Sequence, residues 1–104
     1  GPPPHLLIPY TLVNNDCRFL MPTGFSTGED FFVHLRDAFD QLWDEGERNP
    51  KMMSVGLHGR IGGHPARARG LARFLEHVKR RGRTWVCRRE ELARHWVGLH
   101  PAPD

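Results

Sequence analysis

An α/β fold with parallel strands in the order β-α-β-α-β-α is the class that this 104-residue chain predicts. Two observations carry the prediction. Leu6-Leu7-Ile8 is a short, continuous apolar run, Met52 to Leu57 a near-continuous one and Thr84-Trp85-Val86-Cys87 a third short segment, all of the length of buried strands. Between and after them lie stretches with apolar residues at helical spacing, and such alternation favours parallel strands joined by right-handed crossovers.

Each element has its local signals. Leu6-Leu7-Ile8 is ended by Pro9, and Asn14, Asn15 and Asp16 follow as turn formers. Ser26-Thr27-Gly28-Glu29 matches an S-x-x-E capping box, so a helix is expected to start with Ser26 as its cap. Phe31, Phe32, Leu35, Phe39 and Leu42 give that helix one apolar stripe, with Asp37, Asp40, Asp44 and Glu45 mostly opposite; Asn49-Pro50 lies beyond its end. Met52 to Leu57 reads as the second strand and runs into the glycine-rich loop His58-Gly59-Arg60-Ile61-Gly62-Gly63. Pro65 suits the first position of the next helix, with Ala68, Leu71, Phe74, Leu75 and Val78 facing inward and Gly82 as a left-handed cap after the cationic turn Lys79-Arg80-Arg81. Thr84 to Cys87 makes the third strand. Arg89 to Trp96 makes the last helix, with Leu92 and Trp96 inward. Residues 1–5, opening Gly1-Pro2-Pro3-Pro4, read as a linker or tag remnant, 6–97 as the folded part and 98–104 as a tail.

Composition narrows the function classes. A hydrophobic content of 38%, with three Trp and six Phe, supports one modest globular core. No apolar run approaches the ~18 residues of a membrane span, and no charged-then-apolar leader opens the chain, so a soluble, cytoplasmic protein without a membrane partner is expected. Cys17 and Cys87 fit no metal-knuckle spacing and are expected to be reduced. The net charge of +3 is unevenly spread: acids dominate from Glu29 to Glu47, and arginines from Arg60 to Arg94. That basic half raises an anion- or nucleic-acid-binding reading. Without interleaved exposed aromatics, a solvated helix face is the plainer explanation, and a nucleic-acid partner is not expected.

The geometry of parallel strands gives the arrangement a functional edge. All three strands end on one side, which would gather Asn14-Asn15-Asp16, His58-Gly59-Arg60 and Arg88-Arg89 on the face where α/β folds bind ligands. Three short parallel strands also leave two bare edges, the mark of part of a larger barrel.

Pro9-Tyr10-Thr11-Leu12 with Asn15-Asp16, the run Met52-Met53-Ser54-Val55-Gly56-Leu57-His58-Gly59-Arg60, Gly63-His64-Pro65-Ala66-Arg67, Trp85-Val86-Cys87-Arg88-Arg89 and Ala93-Arg94-His95-Trp96 together resemble the C-terminal part of the polysaccharide deacetylase superfamily (NodB homology), and within it most of all the bacterial allantoinase branch. The resemblance spans Leu6 to Trp96 and implies the C-terminal part of a distorted (β/α) barrel that hydrolyses C–N bonds, in acetylated sugars or in the ring amide of allantoin. The family's strand-ending Leu-His pair falls on Leu57-His58, which implies His58 as the general acid for the leaving nitrogen. Arg60 would then orient a carbonyl or steady negative charge, and Asp16, with Asn15, would bind substrate or orient the histidine. The family's paired aspartates and His-x-x-x-His metal motif are not reproduced. His58 and His64 have the wrong spacing and His77 and His95 fall on different helices, so no cofactor or metal site is expected from this chain, while a divalent metal in the complete enzyme is left open. The chain is accordingly expected to be inactive without an N-terminal half or a homo-oligomer to complete the site. The alternatives are a polysaccharide N-deacetylase fragment and a non-catalytic module that docks onto a partner. Each site residue also has a plainer reading: His58 as a polar residue bonded to backbone, Arg60 paired with a carboxylate, Asp16 stabilising a turn.

Overall fold

A computed structural model describes residues 3–103, so Gly1, Pro2 and Asp104, at the ends of the expected linker and tail, lie outside the described residues. Among the described residues four helices form: α1 (Gly28–Glu45), α2 (Gly59–Gly62), α3 (Pro65–Arg81) and α4 (Arg89–Leu99), preceded by a 3₁₀ turn over Asp16–Leu20. They are distributed over two compact units. Tyr10–Gly82 is one; the described residues before Tyr10 and after Gly82 make the other.

The expected helices are present and the expected strands are not. Among the described residues the β pairing is an isolated parallel bridge, Asn15 to Gly56, made by Gly56 N–H donating to Asn14 O at 2.8 Å and Asp16 N–H donating to Gly56 O at 3.0 Å. The first and third runs, Leu6-Leu7-Ile8 and Thr84 to Cys87, form no strand. A strand is defined by its neighbours. Three short apolar segments without further partners cannot close a ladder, so the β-α-β pattern reduces to one bridge in the anticipated parallel sense.

Within Tyr10–Gly82 the core is aromatic. Phe31 and Leu35 are fully buried, joined by Phe25, Phe32, Phe39, Phe74 and Val78. Burial of each large side chain is worth about 1.5–3 kcal/mol. The α1 stripe therefore follows the periodicity, with Leu42 half-buried at its end. On α3, Phe74 and Val78 face in and Leu71 packs at the edge, but Leu75 is half-exposed: one residue past Phe74, it turns away from α1.

The two long helices approach closely because two glycines meet. A Cβ on Gly28 would lie 2.3 Å from Ala66 O, and one on Gly70 would lie 2.3 Å from Gly28 O. Beyond that crossing, charged and polar side chains pair along the seam. Arg73 bonds Glu29, His77 Nε2 lies 2.7 Å from Asp40 Oδ1, and Arg81 reaches Asp44 at 3.3 Å with its guanidinium 4.0 Å from the Trp43 ring centroid. Asp40 thus sits beside α3 and not on the outer face.

The α1 start is shifted by one residue from the expected box. Thr27 is the cap: Asp30 N–H donates to Thr27 Oγ1 at 3.1 Å, and Asp30 Oδ2 accepts from the N–H groups of both Thr27 and Ser26 at 3.0 Å. Aspartate three residues on from Thr27 can serve two backbone donors at once, and Glu29 is engaged with Arg73 instead of closing the box. Those backbone hydrogen bonds hold the Asp30 carboxyl below its usual range. At the other end Gly82 has a positive φ of 66° and donates to Val78 O, ending α3 where expected.

In the second unit α4 runs three residues beyond Trp96, with Arg88 N–H donating to Glu91 Oε1 at 2.9 Å at its start and no residue fully buried. Trp96, expected inward, is half-exposed and lies against His100 with ring centroids 4.1 Å apart. Arg89 donates to the carbonyl of Ile8. Both cysteines are free, and no helix among the described residues is long and apolar enough to cross a membrane.

Candidate active site

The parallel bridge brings the ends of two loops together, and the site is what they carry. Asp16 opens the 3₁₀ turn and is fully buried despite its charge. Burial of a carboxylate is costly unless its oxygens are bonded, and here both are. Oδ1 lies 2.7 Å from His58 Nδ1, while Oδ2 accepts from His58 N–H at 2.7 Å and from Gly62 N–H at 2.8 Å. An ionised carboxylate only accepts, so the proton shared with His58 sits on Nδ1. His58 stands at the boundary, its side chain 56% exposed, with Nε2 left as the nitrogen that can exchange a proton.

Local structure explains why the pair forms. His58 is the N-cap of α2, the one-turn helix that replaces the expected glycine-rich loop. The buried Asp16 carboxylate takes the N–H of this cap residue and the N–H of Gly62 at the far end of the turn, which also bonds His58 O at 2.9 Å. Gly62 makes the approach possible: a Cβ there would sit 2.6 Å from Asp16 Oδ2. On the opposite loop Asn15 is the cap of the 3₁₀ turn, its Oδ1 accepting from Cys17 N–H at 2.9 Å, and it is 3% exposed.

Asn14 anchors the same loop to α1. Its Oδ1 lies 3.1 Å from His34 Nε2, and the His34 ring packs against Phe25. Burial lowers the His34 imidazole below its ordinary value near 6.5, the Arg18 charge adds to the shift, and Val13 O and Asp37 oppose it. Below Asp16, Arg67 of α3 donates from Nη1 to Ile61 O at 3.1 Å and lays its guanidinium 4.5 Å from the Phe19 ring centroid.

Of the residues singled out in the sequence, the structure unites Asp16 and His58, places Arg60 exposed on α2 beside them, and uses Asn15 as a turn cap. Arg88 and Arg89 belong to the other unit. His64 is an exposed cap of α3. Gly62, His34 and Arg67 were not apparent as site residues. The Gly62-Gly63 pair was the available signal for close backbone approach, whereas nothing local marked His34 or Arg67.

Among the described residues no three His, Cys, Asp or Glu side chains come together as a metal site. Both oxygens of Asp16 are taken by N–H donors and His58 Nδ1 is turned onto Asp16, so the pair offers one open ligand atom, His58 Nε2. An imidazole held in one tautomer by a buried carboxylate can release or take up a proton at its other nitrogen.

No family model matches the chain. A Schizosaccharomyces pombe protein named "Putative polysaccharide deacetylase" is 45% identical over 97 residues, 92% of this chain and 30% of that protein. Two crystal structures superpose with a TM-score of 0.89 over 92% of this chain: a "probable Polysaccharide deacetylase from Pseudomonas aeruginosa PAO1" at 50% identity and "Puue Allantoinase" at 51%. In both cases 32% of the matched chain is covered. The chain spans about a third of the length of these proteins, and its homologues and structural neighbours are polysaccharide deacetylases and an allantoinase.

Proposed function

We propose that this chain supplies the proton-transfer portion of a hydrolase acting on non-peptide C–N bonds, with ring-amide (ureide) hydrolysis of the allantoin type as its reaction and His58 as the general acid. The observation that carries the reading is the contact between the buried Asp16 and the Nδ1 of the half-exposed His58. Amide cleavage stalls unless the nitrogen is protonated as it departs. His58, carrying protons on both nitrogens, gives the Nε2 proton to the leaving nitrogen as the C–N bond breaks. The carboxylate of Asp16 steadies the imidazolium beforehand and keeps Nδ1 protonated afterwards.

Arg60 is assigned to the substrate side, as a fixed cation for a carbonyl oxygen that gains negative charge. Asp16 and Asn15 are assigned to the scaffold, since both are buried and their oxygens are bonded within the protein. The attacking water must be activated by groups outside this chain, which is why the 104 residues are expected to be inactive alone and active with an N-terminal half, or in an oligomer that completes the site. The S. pombe relative's name keeps deacetylation of an N-acetylated sugar as the second reading.

The test is hydrolysis of allantoin and of an N-acetylated oligosaccharide by the chain alone and by the chain joined to the N-terminal two thirds of a relative, each with and without His58→Ala. Allantoin turnover by the joined protein, abolished by the substitution, is the expected result. Turnover that survives His58→Ala removes the proposed acid, and turnover of the sugar alone moves the substrate to the second reading.

A further inference from the structure

We propose that Arg67 is a positioning residue for the Asp16–His58 pair, an assignment that rests on the reading of that pair as the proton-transfer site. Asp16 begins the 3₁₀ turn and His58 caps α2, and neither turn is long enough to hold its own place. Arg67 touches both. Its Nη1 donates to Ile61 O, within α2 and next to Gly62, whose N–H holds Asp16 Oδ2. Its guanidinium covers the face of Phe19, three residues after Asp16 in the same 3₁₀ turn. Phe19 is itself wedged edge-on against Phe25 and Phe31, with centroids 5.4 Å from each, so the arginine grips a fixed ring. The guanidinium thus bridges two short turns to the rigid helix α3, in whose first turn it lies.

The chemistry of the group suits the task. Guanidinium is planar, always charged, and can stack on a ring through one face while donating in its plane. Lysine offers the charge without the plane. Methionine keeps much of the length without the donor.

The experiment is nuclear magnetic resonance of the 104-residue chain and of its Arg67→Met and Arg67→Lys variants. It follows the His58 Nδ1–H proton and the hydrogen exchange of the His58 and Gly62 amides, with the Phe74 and Val78 amides of α3 as reference. In the native chain a hydrogen-bonded Nδ1 proton is expected far downfield and both site amides are protected. Arg67→Met is expected to lose the downfield signal and to speed exchange at His58 and Gly62 about five- to tenfold, with α3 unchanged and Arg67→Lys in between, as loss of about one hydrogen bond implies. Native values in both variants would overturn the proposal. So would faster exchange that includes Phe74 and Val78, because it would assign Arg67 to general stability. These readouts need no turnover. A failure of His58 as acid therefore shows in the activity of His58→Ala, and a failure of the present assignment shows in the spectra of the Arg67 variants.

Discussion

Asp16→Asn separates the two duties of the buried carboxylate. In the native chain Oδ2 serves two backbone N–H groups, of His58 and Gly62, and Oδ1 serves the His58 ring. The amide of asparagine fits the same space. If its oxygen takes the Oδ2 place, both backbone donors remain satisfied and its NH₂ faces His58 Nδ1. Nitrogen-bound hydrogens cannot oppose each other at 2.7 Å, so the neutral ring must move its proton to Nε2. The reverse orientation sets NH₂ against two backbone donors and is worse. Stability is therefore expected to change little, because both N–H groups keep an acceptor, whereas the imidazolium loses a charge-assisted hydrogen bond worth about 1.5–3 kcal/mol in general. With His58 56% exposed, water replaces part of it, so the lower end applies, about 1.5 kcal/mol or roughly tenfold in the rate of the His58-dependent step. Asp16→Ala contrasts with it: the His58 N–H loses its acceptor while the Gly62 N–H keeps His58 O at 2.9 Å, and destabilisation of about 1–3 kcal/mol follows. The assay is nitrogen-15 detection of the His58 tautomer in the native chain and in Asp16→Asn, with thermal denaturation of all three proteins. A neutral His58 with the same protonated nitrogen in both chains would refute the reasoning.

The two glycines that bound α2 are expected to respond oppositely to alanine. Gly62→Ala drives a methyl to within 2.6 Å of Asp16 Oδ2 and should break the His58–Asp16 contact and lower stability, whereas Gly59→Ala meets nothing within 4 Å and should be neutral or gain up to about 1 kcal/mol; denaturant titration of both variants distinguishes these outcomes. His34 is expected to make stability pH-dependent. Its folded value lies below the ordinary 6.5, so the unfolded chain takes the proton first; the contribution is complete above 6.5 and is lost as pH falls toward and through the folded value. Melting temperatures measured downward from pH 8 should fall more steeply for the native chain than for His34→Gln, and parallel curves would count against the assignment.

The amino-acid sequence by itself determined α1, α3 and α4, most of the apolar stripe of α1 and the start and stop of α3, because caps, periodicity and the Pro65 and Gly82 signals act within a few residues of the chain. It also singled out His58 and Arg60, by the abrupt change from apolar residues to a base and a cation. Only the tertiary structure decided the rest. Strands require partners to complete a ladder, and the apolar runs of 6–8, 52–57 and 84–87 find one bridge among the described residues. The cap of α1 falls on Thr27 and not Ser26 because the Asp30 carboxylate accepts from the N–H groups of both Ser26 and Thr27. Asp16, in sequence one of three turn formers, acquired its weight from His58 and Gly62, 42 and 46 residues away. A carboxylate's role is set by which donors reach it once water is excluded, and such long-range approach leaves no local pattern in the chain.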